Sequence, residues 1–371
     1  MKKVLLSVLA LLPLAICAQT QIQTGFYRVQ NAGTSRFLSV IDNKSAGVSG
    51  TEVDIEMLRM LSGFEDTVSF NPATICLITH FGGTSYNLSG QDMDLYANTS
   101  HYLQFTPYGT GTYRMGASSG GATKYLGDYG GEDNPCPSIK EGSRDWRFVP
   151  VDQSETGYFG VKPDIHTTDN AYWATLYAGF GFTPSAETTK VYYVSSITND
   201  GCAIIQPLTG KVAKNSPVLV KCTGSKPSDN KLSLVDYNVA MAGNLLKGCF
   251  YNSNHYKYDD DGCYYEHRNR IAYDASTMRV LGTTADGKPA FVKTNIDYLP
   301  ANKAYLSVGS SEVDVLPIFT EEEYQEYITG IEELPAVTPA GKKVVYDLQG
   351  RRIAAPSKGL YIVNGKKIVI K

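Results

Sequence analysis

The chain has 371 residues, of which 42% are hydrophobic and 19% are charged, and its formal net charge is -3 at pH 7. A chain of this length buries an ordinary apolar core without disulfides or metals to hold it together. The weak negative charge provides no basic field for nucleic acid or anionic membranes. We therefore expect no nucleic-acid partner.

The first 18 residues predict a secretory signal peptide. Two lysines precede the apolar run 4–16, and Cys17 and Ala18 lead into a polar stretch. We expect cleavage near Ala18, and a lipid-modified Cys17 is the alternative, because the residues before it resemble a bacterial lipobox. No segment reaches the roughly 20 apolar residues that a spanning helix needs. The expected location is secreted or on the outer-membrane surface, without a transmembrane helix.

Cysteine usage permits disulfides without requiring them. Six cysteines follow the predicted leader, and an even number in an exported chain is compatible with a disulfide framework. Cys249 and Cys263 form the one local candidate pair, because both flank a tyrosine-rich predicted hairpin. Free buried thiols are the alternative, and no Cys/His spacing indicates zinc.

A threefold internal repeat organises residues 19–154. The pattern apolar-x-Phe-x-Pro occurs at Val68–Pro72, Leu103–Pro107 and Trp146–Pro150, and segments with an aromatic residue and a leucine precede it at 36–39, 86–89 and 124–127. Residues two apart on a strand share one face, so the repeated rings are expected in a core. The proline ends ladder pairing. Three such units predict a β-trefoil.

The segment GFYRVQNAGTSRFLSV, Gly25 to Val40, resembles the ricin-type trefoil proteins. Those lectins usually carry Gln-x-Trp in each repeat, which this chain lacks, so the resemblance implies the fold more strongly than sugar binding. Phe70, Phe105, Trp146 and Phe148 are expected in the core. The candidate glycan-binding residues lie just after the aromatic and leucine segments: Asp42, Asp92, Asp94, Tyr96, Asp128 and Tyr129.

A second β-rich domain is predicted over residues 155–319. Short alternating segments are separated by turns such as Asn199-Asp200-Gly201 and Asp286-Gly287, a pattern typical of a β-sandwich or open barrel. The region resembles a β-module of exported Bacteroidetes proteins, and the resemblance supplies no biochemical role.

Residues 320–341 predict a short helix and a linker, and residues 342–371 a small C-terminal β module. Thr320 and Glu323 have the spacing of a capping box, while Asn364-Gly365 predicts a hairpin turn. The final segments YDLQGRR and KGLYIVNGKK resemble the C-terminal sorting modules of proteins exported by the type IX route. The resemblance implies an export machinery as a partner.

Catalytic and metal motifs occur but lack their structural context. Gly116–Gly120 matches G-x-S-x-G, yet a strand is expected after it where a nucleophile elbow needs a helix. Gly282–Lys288 approaches a phosphate loop, but proline follows the lysine. Asp259–Asp261 could hold calcium, although the ligand spacing of an EF-hand is missing. We expect no catalytic residues, no metal and no cofactor.

The predicted function is a non-catalytic binding protein of the surface or exterior, engaging glycans or host proteins, because exposed aromatic rings suit both. The first alternative is an extracellular glycan-active hydrolase with its site in the second domain. The second is a trefoil-type protease inhibitor.

Overall fold

The protein is all-β, as predicted. The computed structural model describes residues 21–43, 58, 62–91, 93–96, 102–119, 121–131, 136–152, 154, 157–184, 189–252, 256–258, 264–266, 269–309, 312–329, 345–348, 351–354, 356–363 and 366–370. The predicted signal peptide, Cys17, Asp92, Asp259–Asp261 and most of the predicted linker lie outside these residues.

Ten strands within the described residues form the first β unit. They are β1 (Gly25–Asn31), β2 (Phe37–Val40), β3 (Ser62–Glu65), β4 (Cys76–Gly82), β5 (Ser85–Gly90), β6 (Met93–Tyr96), β7 (Leu103–Pro107), β8 (Tyr113–Ser119), β9 (Ala122–Tyr125) and β10 (Asp145–Pro150). The pairing order β10-β8-β7-β5-β4-β1 closes on itself because β10 also pairs with β1. Six strands therefore make a closed ring, with β2, β3, β6 and β9 attached to it.

The repeated residues meet in the core of this ring. Leu38, Leu88 and Leu126, one from each predicted unit, are fully buried in a single cluster with Phe105 and Trp146. Burial of each leucine contributes about 1.5–3 kcal/mol relative to an exposed position. Three leucines from equivalent segments thus share one core, Phe105 and Trp146 are buried there as predicted, and the trefoil itself stays a prediction.

The first copy of the Phe-x-Pro repeat departs from the expected strand. Val68–Pro72 forms a turn that leads into a 3-10 helix, Pro72–Thr74. Asn71 caps this helix, since its side-chain Oδ1 accepts from the Ala73 N–H at 3.0 Å, and Pro72 occupies the first helical position. Phe70 is consequently half-buried instead of joining the core.

The second β unit contains fifteen strands within the described residues. They are β11 (Phe159–Gly160), β12 (Ile165–His166), β13 (Tyr172–Leu176), β14 (Gly181–Thr183), β15 (Lys190–Ile197), β16 (Ala203–Leu208), β17 (Val218–Cys222), β18 (Lys231–Val235), β19 (Leu246–Cys249), β20 (Tyr256–Tyr258), β21 (Tyr264–Glu266), β22 (Met278–Thr283), β23 (Pro289–Val292), β24 (Lys303–Ser307) and β25 (Val315–Thr320). A second 3-10 helix spans Pro227–Asp229.

Ten of these strands form one sheet in the order β12-β13-β17-β15-β16-β25-β23-β22-β24-β19, and β11-β18-β14 form a smaller one. Because side chains alternate along a strand, successive residues of β17 pack into different cores. Val218 and Val220 pack with Phe159 and Phe182 of the smaller sheet. Leu219 packs on the opposite face with Phe291. The central strands of the large sheet are therefore covered on both sides.

The predicted helix and C-terminal strands are present. Helix α1 (Glu321–Thr329) begins with the predicted capping box, in which the Thr320 N–H donates to Glu323 Oε2 at 2.7 Å and the Glu323 N–H to Thr320 Oγ1 at 3.3 Å. The final sheet contains β26 (Val345–Tyr346), β27 (Arg352–Ile353), β28 (Gly359–Val363) and β29 (Lys366–Ile370). Val363 pairs with Lys366, which fits the predicted two-residue hairpin loop.

Both enzyme-like motifs lie in hairpins. Residues 116–119 of the G-x-S-x-G segment belong to β8, and Gly121, with a φ of +82°, directly precedes β9. The phosphate-loop-like segment connects β22 to β23 through Gly287, with a φ of +78°. Neither motif precedes a helix, so neither builds an elbow or a phosphate loop.

The five described cysteines are free and buried. Cys249 places its thiol 3.3 Å from the Tyr251 carbonyl oxygen, and Cys263 lies outside the described residues. Burial raises the pKa of the Cys76 and Cys222 thiols to about 12, so neither is a reactive thiolate at neutral pH. Because the Cys249 thiol is free, the structure gives no support to the predicted disulfide between Cys249 and Cys263.

Candidate functional site

Two of the predicted glycan-binding residues, Asp42 and Asp128, are buried and accept hydrogen bonds from neighbouring residues. The Asp128 carboxylate accepts from Arg36 Nε at 3.0 Å, from Arg36 Nη2, from the Thr34 hydroxyl and from the Gly130 N–H at 2.8 Å. Asp42 is fully buried and accepts from the Asn43 N–H at 2.8 Å and from the Asn269 side chain. Both carboxylates are buried in these hydrogen-bonded clusters, and their contact with a glycan stays a prediction.

The other four predicted residues are placed differently. Asp94 is exposed, accepts from Ser89 Oγ at 2.7 Å, and lines a cavity of 190 Å³. Tyr129 is 41% exposed. Tyr96 lies at the end of β6, and Asp92 lies outside the described residues. Asp42 and Asp128 are therefore buried, whereas Asp94 and Tyr129 are exposed.

A larger concave site lies between the two β units. This cleft, which we call the central cleft, has a volume of about 550 Å³, within the range of small-molecule sites. Residues 65–72 of the first unit form one wall, and residues 159–164 with the end of β13 form the other. Ala301, Asn302 and Lys303, at the start of β24, complete it. Ligand sites occur preferentially at such boundaries between domains.

An ion pair stands in the wall of the central cleft. Lys303 Nζ lies 2.6 Å from Asp164 Oδ1, and the two side chains are 29% and 25% exposed. Asp164 Oδ2 also accepts from the Thr175 N–H at 2.8 Å, and Lys303 Nζ donates to the Thr175 carbonyl oxygen at 3.3 Å. An ammonium has three donors and a carboxylate about four acceptor positions. Since these contacts use only part of that capacity, the pair can donate to and accept from a ligand.

An aromatic ring borders the same cleft. Phe70 is half-buried, and Lys162 Nζ lies 4.8 Å from the centre of its ring. The turn that carries Phe70 is held from two sides, because the Ser69 carbonyl accepts from the Gly160 N–H at 2.9 Å and the Val68 carbonyl accepts from Arg28 Nη2 at 3.0 Å. Phe70 is therefore a ring on a well-anchored turn.

Hydrogen bonds from Arg28 connect that turn to the second unit. Its guanidinium is buried and also donates to the Tyr158 carbonyl oxygen at 3.0 Å and to the Gly157 carbonyl oxygen at 3.3 Å. Burial lowers its pKa to about 10. Backbone carbonyls of both units accept from this one side chain, which sets the position of one cleft wall against the other.

A carboxyl group with a perturbed pKa also lines the central cleft. Burial raises the pKa of Glu65 above its ordinary value, and the neighbouring Asp66 adds to the increase. Glu65 ends β3, one residue before Asp66. Perturbed carboxyl groups in clefts are more frequent at functional sites than elsewhere, so the cleft gathers an acid, an ion pair and an aromatic ring.

No family model, no curated protein and no solved structure matches the chain. Among the described residues, no group of three or more His, Cys, Asp or Glu side chains could hold a metal ion. Across that same portion of the chain, no helix is long and apolar enough to span a membrane.

Sequence reasoning missed Glu65, Asp164 and Lys303 because they lie far apart in the chain and have no motif spacing. Phe70 was noticed, but as a core residue of the repeat. The Asn71-Pro72 pair after Phe70 suits the start of a helix, but Thr106-Pro107 in the second copy suits it as well and ends a strand, so this pair alone does not reveal the difference.

Proposed function

We propose that the protein is a non-catalytic carbohydrate-binding protein that holds a saccharide in the central cleft. The observation that carries the proposal is the partly exposed Lys303–Asp164 pair in the wall of that cleft. A sugar hydroxyl can donate to the carboxylate and accept from the ammonium at once. Phe70 offers an apolar face of the kind on which sugar rings stack.

A neutral ligand suits this site better than a charged one. Asp164 and Lys303 compensate each other, so an anionic or cationic ligand would have to compete with an ion pair of 2.6 Å. Charge-assisted hydrogen bonds to neutral hydroxyl groups need no such competition. The site therefore favours uncharged sugar units.

We also propose that the chain acts outside the cell, on the surface or secreted, and that its C-terminal module engages an export machinery. The support is the leader-like N-terminus and the separate four-stranded C-terminal sheet.

The proposal is tested with a glycan array probed with the purified full chain, followed by calorimetric titration of the best ligand. Phe70→Ala is expected to weaken binding about two- to tenfold, in line with the loss of a stacking contact worth about 0.5–1.5 kcal/mol. Tyr129→Ala, which removes an exposed ring from the loops predicted from sequence, is the matched control and should leave the affinity unchanged. Loss of binding in Tyr129→Ala alone would move the site to the loops.

Glycoside hydrolysis is the second candidate, because Glu65 and Asp164 line one cleft and burial raises the pKa of Glu65. Glycosidases pair a carboxylic acid of raised pKa with an ionised carboxylate. Release of 4-nitrophenol from a panel of 4-nitrophenyl glycosides, abolished in Glu65→Gln while saccharide binding persists, would establish this activity. Absence of release from every glycoside that binds would reject it.

A further inference from the structure

The central cleft continues into a second, apolar recess. This recess, which we call the apolar pocket, has a volume of about 270 Å³ and shares Asp164, Thr175 and Lys303 with the central cleft. Its remaining lining comes from β22, β24 and the segment before β24. The ion pair therefore stands at the border of two adjoining recesses.

The two recesses differ in chemistry. The central cleft contains Glu65, Asn71 and Lys162, whereas the apolar pocket is lined chiefly by aliphatic side chains, among them Val280, Leu281 and Leu299. Its volume equals that of about nine water molecules, at about 30 Å³ each in the liquid. Water gains few hydrogen bonds from aliphatic walls, so an apolar group of that size would displace it favourably.

Hydrogen bonds within the protein hold the rim of the apolar pocket in place before any ligand binds. Tyr273 donates its N–H to the Asp297 carbonyl oxygen at 2.9 Å, and the Leu299 N–H donates to the Ile271 carbonyl oxygen at 2.9 Å. The Tyr273 hydroxyl accepts from the Thr294 N–H at 3.1 Å. These bonds hold the segment that carries Ile296, whose apolar side chain is 36% exposed at the pocket. A preformed rim reduces the entropy that binding would cost.

We infer that the ligand is a saccharide with an apolar substituent, its sugar in the central cleft and its alkyl or aryl group in the apolar pocket. This inference rests on the proposed carbohydrate-binding function and adds the class of ligand. The Lys303–Asp164 pair lies where the linkage between the two parts would pass, so it would bind hydroxyl groups next to the glycosidic oxygen.

The test compares matched methyl, n-heptyl and phenyl glycosides of glucose, galactose, mannose and N-acetylglucosamine by calorimetric titration with the full chain. Each buried methylene is worth a factor of about four in affinity, so burial of about two of the added methylenes gives more than tenfold. The heptyl or phenyl glycoside of a bound sugar is therefore expected to bind at least about tenfold more tightly than its methyl partner. The comparison of heptyl with phenyl distinguishes a lipid-like group from an aromatic one.

Ile296→Asp should remove that gain and leave the methyl glycoside unaffected, while Ile296→Leu should retain it. Val239→Asp is the matched control, because Val239 is 57% exposed and does not line the apolar pocket. Thermal unfolding of each variant verifies that it is folded.

Equal affinities of methyl, heptyl and phenyl glycosides, or a gain that survives in Ile296→Asp, would overturn this inference and leave the proposed function intact. No binding of any glycoside would overturn both.

Discussion

Gln91 and Asn302 exchange two hydrogen bonds of 3.0 Å between their side-chain amides across the boundary of the two β units. Both are buried, and both have a left-handed backbone, with φ of +49° and +57°. Such a conformation is unfavourable for residues other than glycine unless the surroundings hold it. Because Asn302 precedes Lys303 and lines the central cleft, this pair fixes the cleft wall.

Replacement Gln91→Ala is expected to lower the free energy of unfolding by about 1–3 kcal/mol, since Asn302 Oδ1 would lose its buried donor. Chemical denaturation with urea measures the change. Gln23→Ala, at an exposed amide, should change stability by no more than about 0.5 kcal/mol. In a double-mutant cycle, Gln91→Ala and Asn302→Ala should couple by about 0.5–3 kcal/mol, and strict additivity of the two would contradict a direct interaction.

Asp128→Asn is expected to destabilise the fold without altering saccharide affinity. The change leaves the Arg36 guanidinium with a neutral partner at a buried site, and breaking a buried pair typically costs about 3–5 kcal/mol. Asp94→Asn, at an exposed carboxylate, is the control and should cost no more than about 0.5 kcal/mol. A folded, equally stable Asp128→Asn that fails to bind saccharide would instead assign Asp128 to the ligand site.

The repeat and strand periodicity allowed much of the fold to be predicted from the sequence. Leu38, Leu88 and Leu126 lie in segments that were recognised as equivalent, and all three are fully buried in one cluster. The capping box at Thr320 was equally readable, since both of its hydrogen bonds lie within four residues. A feature whose contacts join residues close in sequence can be predicted from a short sequence pattern.

The central cleft could not be predicted in the same way. Glu65, Asp164 and Lys303 come together only when the two β units pack, and no periodicity links positions so far apart in the chain. The burial of Asp128 could not be predicted for a related reason. Asp128 is adjacent to an exposed tyrosine in sequence, but its partner Arg36 approaches from β1–β2 and buries it.

Reduction is expected to leave the stability of the protein unchanged. All five described cysteines carry free thiols, Cys249 included, so no covalent crosslink constrains the unfolded chain through them. A bridge from Cys249 to Cys263 would close a loop of about 15 residues and add about 3 kcal/mol. Thermal unfolding with and without a phosphine reductant should therefore give one midpoint. A lower midpoint after reduction, together with a crosslinked Cys249–Cys263 peptide in mass spectrometry, would contradict this expectation.

We expect the pH dependence of stability to reflect the ionisation of the Glu65 carboxyl group. Burial raises its pKa in the folded state above the ordinary value of 4.5, so the folded chain binds this proton more tightly than the unfolded chain does. Stability is then unaffected below pH 4.5 and falls as the pH rises from there through the raised pKa, because ionisation places a charge in a poorly solvated site.

Glu65→Gln removes this ionisation and should therefore become more stable relative to the wild type as the pH rises. Thermal midpoints of both proteins from about pH 4 to about pH 8 measure the difference, which should grow across the titration and then level off. Glu312→Gln, at an exposed carboxyl, should show a constant difference. A constant difference for Glu65→Gln as well would mean that Glu65 titrates as a solvated group, and the case for it as a proton donor in the central cleft would be lost.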